Sequence, residues 1–152
     1  MTTPRFIETS IHIDAPASRV WKVLTDSEYT KRYMFGCEIV SDWTIGGRFD
    51  WKGAADGVIY VKGFLRDAEP DRLLRYTMID PNADLEDVPE NYLTMTCELV
   101  PERGGTRLDM KTGDFTTVGN GAVRYQHTAA GGDGLLVQLK AVAEDATTSS
   151  SR

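Results

Sequence analysis

The stretch TRLDMKTGDF, residues 106–115, decides how the chain is read. Charged Arg107, Asp109 and Lys111 alternate with apolar Leu108 and Met110, and successive side chains of a strand point to opposite faces. One face is therefore wet and the other apolar. The same period recurs upstream: Arg48, Asp50 and Lys52 interleave with Phe49 and Trp51, and Arg75 and Thr77 with Leu74, Tyr76 and Met78. Strands covered on both faces read as continuous apolar runs, so this alternation describes a half-buried antiparallel sheet. The apolar face carries large side chains. A late amphipathic helix is available to cover it, and the space between them is either filled core or a cavity.

Working outward, the spacing predicts strands over Glu38–Trp43, Arg48–Lys52, Val58–Ala68, Arg72–Ile79, Tyr92–Glu102 and Thr106–Phe115. Gly46-Gly47, Ala55-Asp56-Gly57, Pro70-Asp71 and Arg103-Gly104-Gly105 supply the turn chemistry between most of them, so consecutive strands pair as hairpins. The polar segment Asp80–Asn91, with Pro81 and Pro89, reads as a long rim loop. Before this meander, Ile7, Ile11 and Ile13 mark a first strand. Asp14-Ala15-Pro16 ends it, with Asp14 placed to accept from the free amides of a helix over Pro16–Thr25. Val20, Val23 and Leu24 give that helix its buried stripe, and Asp26-Ser27-Glu28 starts a second short helix that Gly36 stops.

The glycine-rich segment 117–134 admits a helix around Ala122–Thr128. A firmer helix spans Leu135–Asp145, where Leu135, Leu139 and Val142 share a face and Leu136 flanks it. The polar end 146–152 reads as a flexible tail, which leaves one domain with an ordered core over about residues 6–145. The fold class is α+β: a curved antiparallel sheet of about six to seven strands wrapped around a C-terminal helix, with two short helices after strand one.

Composition narrows the function classes. With 17 Lys+Arg against 23 Asp+Glu, the formal net charge of −6 repels phosphate backbones and anionic lipid, which argues against nucleic-acid binding. No run of about 18 apolar residues suggests a membrane span, and Met1–Arg5 precede no apolar leader core, so a soluble cytoplasmic protein is expected. Cys37 and Cys97 stand 97−37=60 positions apart without CxxC spacing, as befits a reducing compartment. Cys97 falls in phase with Leu93, Met95 and Leu99 as a buried thiol.

Four segments in combination resemble the START or helix-grip superfamily, and within it the homologues of the activator of the large heat-shock chaperone ATPase. IHIDAPASRVWKVLTD (11–26) is similar to that family's strand, Ala-Pro turn and first helix, and TIGGRFDW (44–51) to its Gly-Gly strand entry. VKGFLRDAEPDRLLRYTM (61–78) and LVPERGGTRLDM (99–110) resemble its two following hairpins. The resemblance covers residues 7–145 and implies a cavity between sheet and terminal helix, or a surface that stimulates a heat-shock chaperone. Such homologues often carry a tryptophan after a glycine before the last helix, whereas here Gly132 is followed by Asp133. An aspartate neither fills nor seals space as an indole would.

Candidate chemistry is sparse. His12 and His127 lie in distant segments without clustered ligands, so no metal is expected, and no cofactor-binding glycine motif is present. No GxSxG elbow appears. His12 falls on the charged phase of strand one as an exposed imidazole. The functional signal is the interior face itself: Phe49, Trp51, Tyr76, Met78, Met95 and Met110, with Leu136 and Leu139 from the helix. Aromatic and methionine side chains line adaptable apolar pockets. Tyr33, Phe35 and His127 are candidates for the entrance, with the loop 80–91 as a guard. The leading expectation is binding of a small hydrophobic or lipid-like molecule without catalysis. Chaperone stimulation ranks second, and a cyclase- or dehydratase-type cavity enzyme using Tyr76, His127, Arg124 or Asp114 third.

Overall fold

The computed structural model describes residues 5–130 and 134–150, with side chains through residue 145. Gly132 and Asp133, and residues 151–152 of the expected tail, lie outside the described residues. The order of elements is β1 (Ile7–Ile13), α1 (Ala17–Thr25), α2 (Ser27–Tyr33), β2 (Cys37–Val40), β3 (Asp50–Gly53), β4 (Ile59–Val61), β5 (Leu65–Glu69), β6 (Leu73–Met78), β7 (Leu93–Glu102), β8 (Gly105–Gly113), α3 (Gly121–Ala130) and α4 (Gly134–Ser150). This is the α+β arrangement that the order of elements called for, with the helix-grip form that the resemblance implied.

One strand boundary changes the picture of the sheet. The expected strand 58–68 is interrupted, and the wall consists of a five-stranded sheet, β1-β8-β7-β6-β5, and a three-stranded sheet, β2-β3-β4, all antiparallel. The break falls at Gly63, where a Cβ would stand 1.7 Å from the Thr77 carbonyl oxygen. Only glycine lets the β6 backbone come that close while the chain bends. The two sheets stay stitched across this crease: Lys62 and Ile79 exchange backbone hydrogen bonds of 2.8 Å, and the Phe49 N–H donates to Gly63 at 2.8 Å.

The helices hold the open side of this wall. Helix α2 starts at Asp26, whose carboxylate accepts from the Glu28 N–H at 2.9 Å. Asp14 does not cap α1: Pro16 stands at that end with no side-chain bond, and Asp14 meets His12 Nε2 at 3.0 Å. His12 is correspondingly half-buried, its Nδ1 2.9 Å from Glu102 Oε2. Helix α3 slightly exceeds the stretch read from the sequence. Helix α4 continues past Asp145 to Ser150, as no glycine or proline intervenes there. Leu136, Leu139, Val142 and Ala143 face inward from it and join Val20, Val23 and the sheet in one core. Lys140 donates to the His12 carbonyl at 2.8 Å, and Arg32 meets Asp145 at 2.8 Å, fastening α4 to β1 and α2. Among the described residues, no helix is long and apolar enough to cross a membrane.

Candidate functional site

Between the start of α4, the α2–β2 turn and the inner faces of β6, β7 and β8, the packing leaves an open cleft of about 850 Å³. That lies within the roughly 300–1,000 Å³ of small-molecule sites. The period-two register explains its floor: Met78, Met95 and Met110 come from adjacent strands, where Cys97 pairs with Met110 and Tyr76 with Met95. Leu135 and Leu136 of α4 lean over them, and Ile7 of β1 closes the far side. Behind the floor sits a second void of about 50 Å³, bordered by Trp51, Tyr76, Cys97 and Leu139. Both spaces share Tyr33, Met34, Met78, Met95, Met110 and Leu135, which form the partition between them.

The residues singled out in the sequence fall into three groups. Met78, Met95, Met110 and Leu136 line the cleft, together with Tyr33, Phe35 and His127. Trp51, Tyr76 and Leu139 border the inner void alone. Phe49 borders neither space. Its ring is 0% exposed, stacked on Tyr76 at 4.4 Å and met edge-on by Trp43 at 5.5 Å and Trp51 at 6.0 Å. The loop 80–91 does not border the cleft either; Asp87 within it holds Lys62 at 2.6 Å and the Tyr92 hydroxyl at 2.5 Å.

At the lip, Phe35 is 92% exposed with φ +53°, followed by Gly36 at +78°. A bulky residue in that left-handed region is uncommon, and here it turns the ring away from the core. Lys31, Arg32, Thr9, Thr112 and Gln138 also border the cleft, beyond the residues that the sequence pattern singles out. Thr112 continues the inward phase of Thr106, Leu108 and Met110, so the alternation contained it. Lys31 and Arg32 sit on a helix of 7 residues, too short for a period to show. The lining includes Lys31, Arg32 and His127 but no carboxylate among the described residues. Lys31 lies 3.6 Å from Glu28, and Arg32 is engaged by Asp145.

Deeper in, no charged side chain borders the inner void among the described residues. Burial, then the neighbouring phenol and the Cys97 thiol, hold the Tyr33 hydroxyl well above the ordinary tyrosine range. Burial likewise pushes Tyr76 far up, Cys97 adding to it and the approach of the Trp51 indole N–H to the Tyr76 hydroxyl opposing. Burial alone pushes the Cys97 thiol up to about 12. All three groups stay neutral at ordinary pH. The Trp51 side chain is 3% exposed, and its Nε1–H is buried without a hydrogen-bond partner.

Of the other groups considered for chemistry, Arg124 donates to the Asn91 carbonyl at 2.7 Å, and Asp114 accepts from the Arg5 N–H at 3.0 Å. Among the described residues, no three His, Cys, Asp or Glu side chains are grouped to hold a metal ion.

The family model described as Activator of Hsp90 ATPase homolog 1-like protein matches residues 14–144, most of the 152-residue chain. The chain belongs to this family. Solved structures agree with the fold of this Hsp90 ATPase activator homologue-like domain. ChR145 from Cytophaga hutchinsonii is 28% identical with a TM-score of 0.75, the alignment covering 97% of this chain and 99% of that one. Protein MLL2253 from Mesorhizobium loti is 19% identical at a TM-score of 0.72, covering 93% and 98%. The Aha1 dimer from Colwellia psychrerythraea is 14% identical at 0.69, covering 92% and 96%. Among curated proteins, none matches the sequence.

Proposed function

We propose that the protein binds a small hydrophobic or lipid-like molecule in the cleft between the sheet and α4. The observation that carries this reading is the 850 Å³ space itself, floored by Met78, Met95 and Met110 where the fold would otherwise place solid core. Methionine's unbranched, polarizable chain adapts to ligands of varied outline. Leu136 closes over such a molecule, Tyr33, Phe35 and His127 stand along its path, and Trp51, Tyr76 and Leu139 wait behind the floor. Each 100 Å² of apolar surface removed from water contributes about 2.5 kcal/mol before ordering losses. Two buried free thiols, Cys37 and Cys97, suit a reducing compartment such as the cytoplasm.

The test is titration with a panel of naphthyl dyes and long-chain lipids, followed by dye fluorescence. Saturable binding that Met95→Trp weakens supports the reading; no binding across the panel defeats it.

The family relation favours a second reading, in which an outer surface stimulates a heat-shock chaperone ATPase. Adding the protein to such an ATPase separates the two. A rise in turnover that persists with the cleft filled by dye would favour surface action.

A further inference from the structure

The inner void is small, buried and uncharged, yet one hydrogen-bonding group in its wall is unsatisfied. Trp51 comes from β3, in the sheet beyond the crease, and Tyr76 from β6; their rings lie 6.2 Å apart and tilted by 54°. Tyr76 is fixed in place by its stack on Phe49. The indole can only donate, and its Nε1–H approaches the Tyr76 hydroxyl without closing a hydrogen bond of normal geometry. A buried donor left unpaired is destabilising and uncommon in folded proteins, so its retention next to a ligand-sized cleft calls for an explanation.

The partition gives the donor a route to the cleft. Met78, Met95 and Met110 belong to both spaces, and a methionine chain has three rotatable bonds, so small rotamer changes join the void to the cleft. The Tyr33 hydroxyl, which also borders both spaces, holds its acceptor, the Leu24 carbonyl, only at 3.5 Å. What enters must be neutral at that end. Among the described residues no charged side chain borders the void, and a carboxylate there would lose its hydration with no cation to meet it.

We propose that the molecule held in the cleft carries a neutral hydrogen-bond acceptor, a carbonyl or ether oxygen, at its leading end, and that the Trp51 indole N–H receives it. The inference rests on the reading of the cleft as a ligand site and adds the ligand's chemistry to it. The apolar body lies on the methionine floor, and the outer end reaches the lip where Lys31 and His127 stand. Recognition of this kind discriminates against an analogue that lacks the acceptor, because the analogue leaves the donor buried and unpaired.

Two probes of matched shape test it: 2-acetylnaphthalene, which has the acceptor, and 2-isopropenylnaphthalene, which does not. Their affinities are measured on the wild type, on Trp51→Phe, and on protein with benzothienylalanine at position 51, which keeps the indole's shape without its N–H. The Trp51 indole resonance is followed by NMR in the wild type. The expected result is a ketone-to-alkene affinity ratio about tenfold higher in the wild type than in either variant, with a displaced Trp51 signal on ketone binding. Equal ratios in all three proteins overturn the proposal and leave the cleft reading standing. So does a water that stays on the indole N–H, seen as a persistent water cross-peak while the ketone is bound. Failure of both probes to bind the wild type overturns the proposal together with the cleft reading.

Discussion

Phe49 and Tyr76 stack face to face, 4.4 Å between ring centroids and 21° between planes, Phe49 from the residue just before β3 and Tyr76 from β6. The pair joins the sheets on the inside as the Lys62–Ile79 bridge joins them through the backbone. Phe49→Ala is expected to cost about 3–5 kcal/mol, since a fully buried ring would leave a cavity among Trp43, Trp51 and Tyr76. Urea denaturation measures it; a loss under about 1 kcal/mol would show that the crease does not depend on this stack.

The crease itself is open to a single-methyl test. Gly63→Ala places a Cβ against the Thr77 carbonyl, where backbone rather than a flexible side chain must yield. Thermal unfolding should show a loss of about 1–3 kcal/mol or more. A neutral result would mean that the two sheets slide apart without penalty.

Filling the cleft should register as stability. At a ligand concentration of about 100 times the dissociation constant, mass action adds about 2.7 kcal/mol to the wild type. Met95→Trp, which puts an indole on the cleft floor, should reduce that gain at the same ligand concentration. An unchanged gain would place the ligand elsewhere.

Alkaline pH should undermine the core through its thiol. Cys97 has its pKa raised from 9.0 to about 12, so the folded chain keeps a proton that the unfolded chain releases above pH 9. The contribution is therefore fully present below pH 9 and declines by about 1.4 kcal/mol per unit up to about pH 12. Cys97→Ala should lessen the slope of stability against pH over that window, read by denaturant midpoints. Tyr33 and Tyr76, raised in the same sense, continue the loss at higher pH.

The acid side has its own marker. The hydrogen bond from His12 is the largest reason that Glu102 titrates below its ordinary 4.5. A lowered carboxylate stabilises the fold above that value, and the contribution is lost as pH falls through the folded pKa. The destabilisation caused by His12→Ala should therefore be larger at pH 6 than at pH 3. Equal losses at both would show that the imidazole acts by packing alone.

Much of this architecture could be read from alternation, because burial on one face imposes a period of two on β6, β7 and β8. The crease could not: glycine at 63 looked like an ordinary strand glycine until the Thr77 carbonyl stood opposite it. Asp50 shows the same limit. It falls on the wet phase, yet it is 4% exposed and accepts from Arg48 at 2.7 Å, since the second sheet turns that face inward near the crease. At the candidate site, inward residues of the long strands were legible from phase. Which of them border open space was not, because Phe49 and Met110 follow the same pattern and differ only in what packs on top. Lys31 and Arg32 came from a helix too short to announce a face.

The strand that opens the chain pairs with the strand that closes the sheet: Ile7 lies opposite Thr112, a separation of 112−7=105 residues. On the ribosome, β1 therefore has no partner until β8 has emerged about a hundred residues later, and α1 and α2 must wait beside an unfinished sheet. Such distant closure favours slow folding and leaves the oily faces uncovered during synthesis.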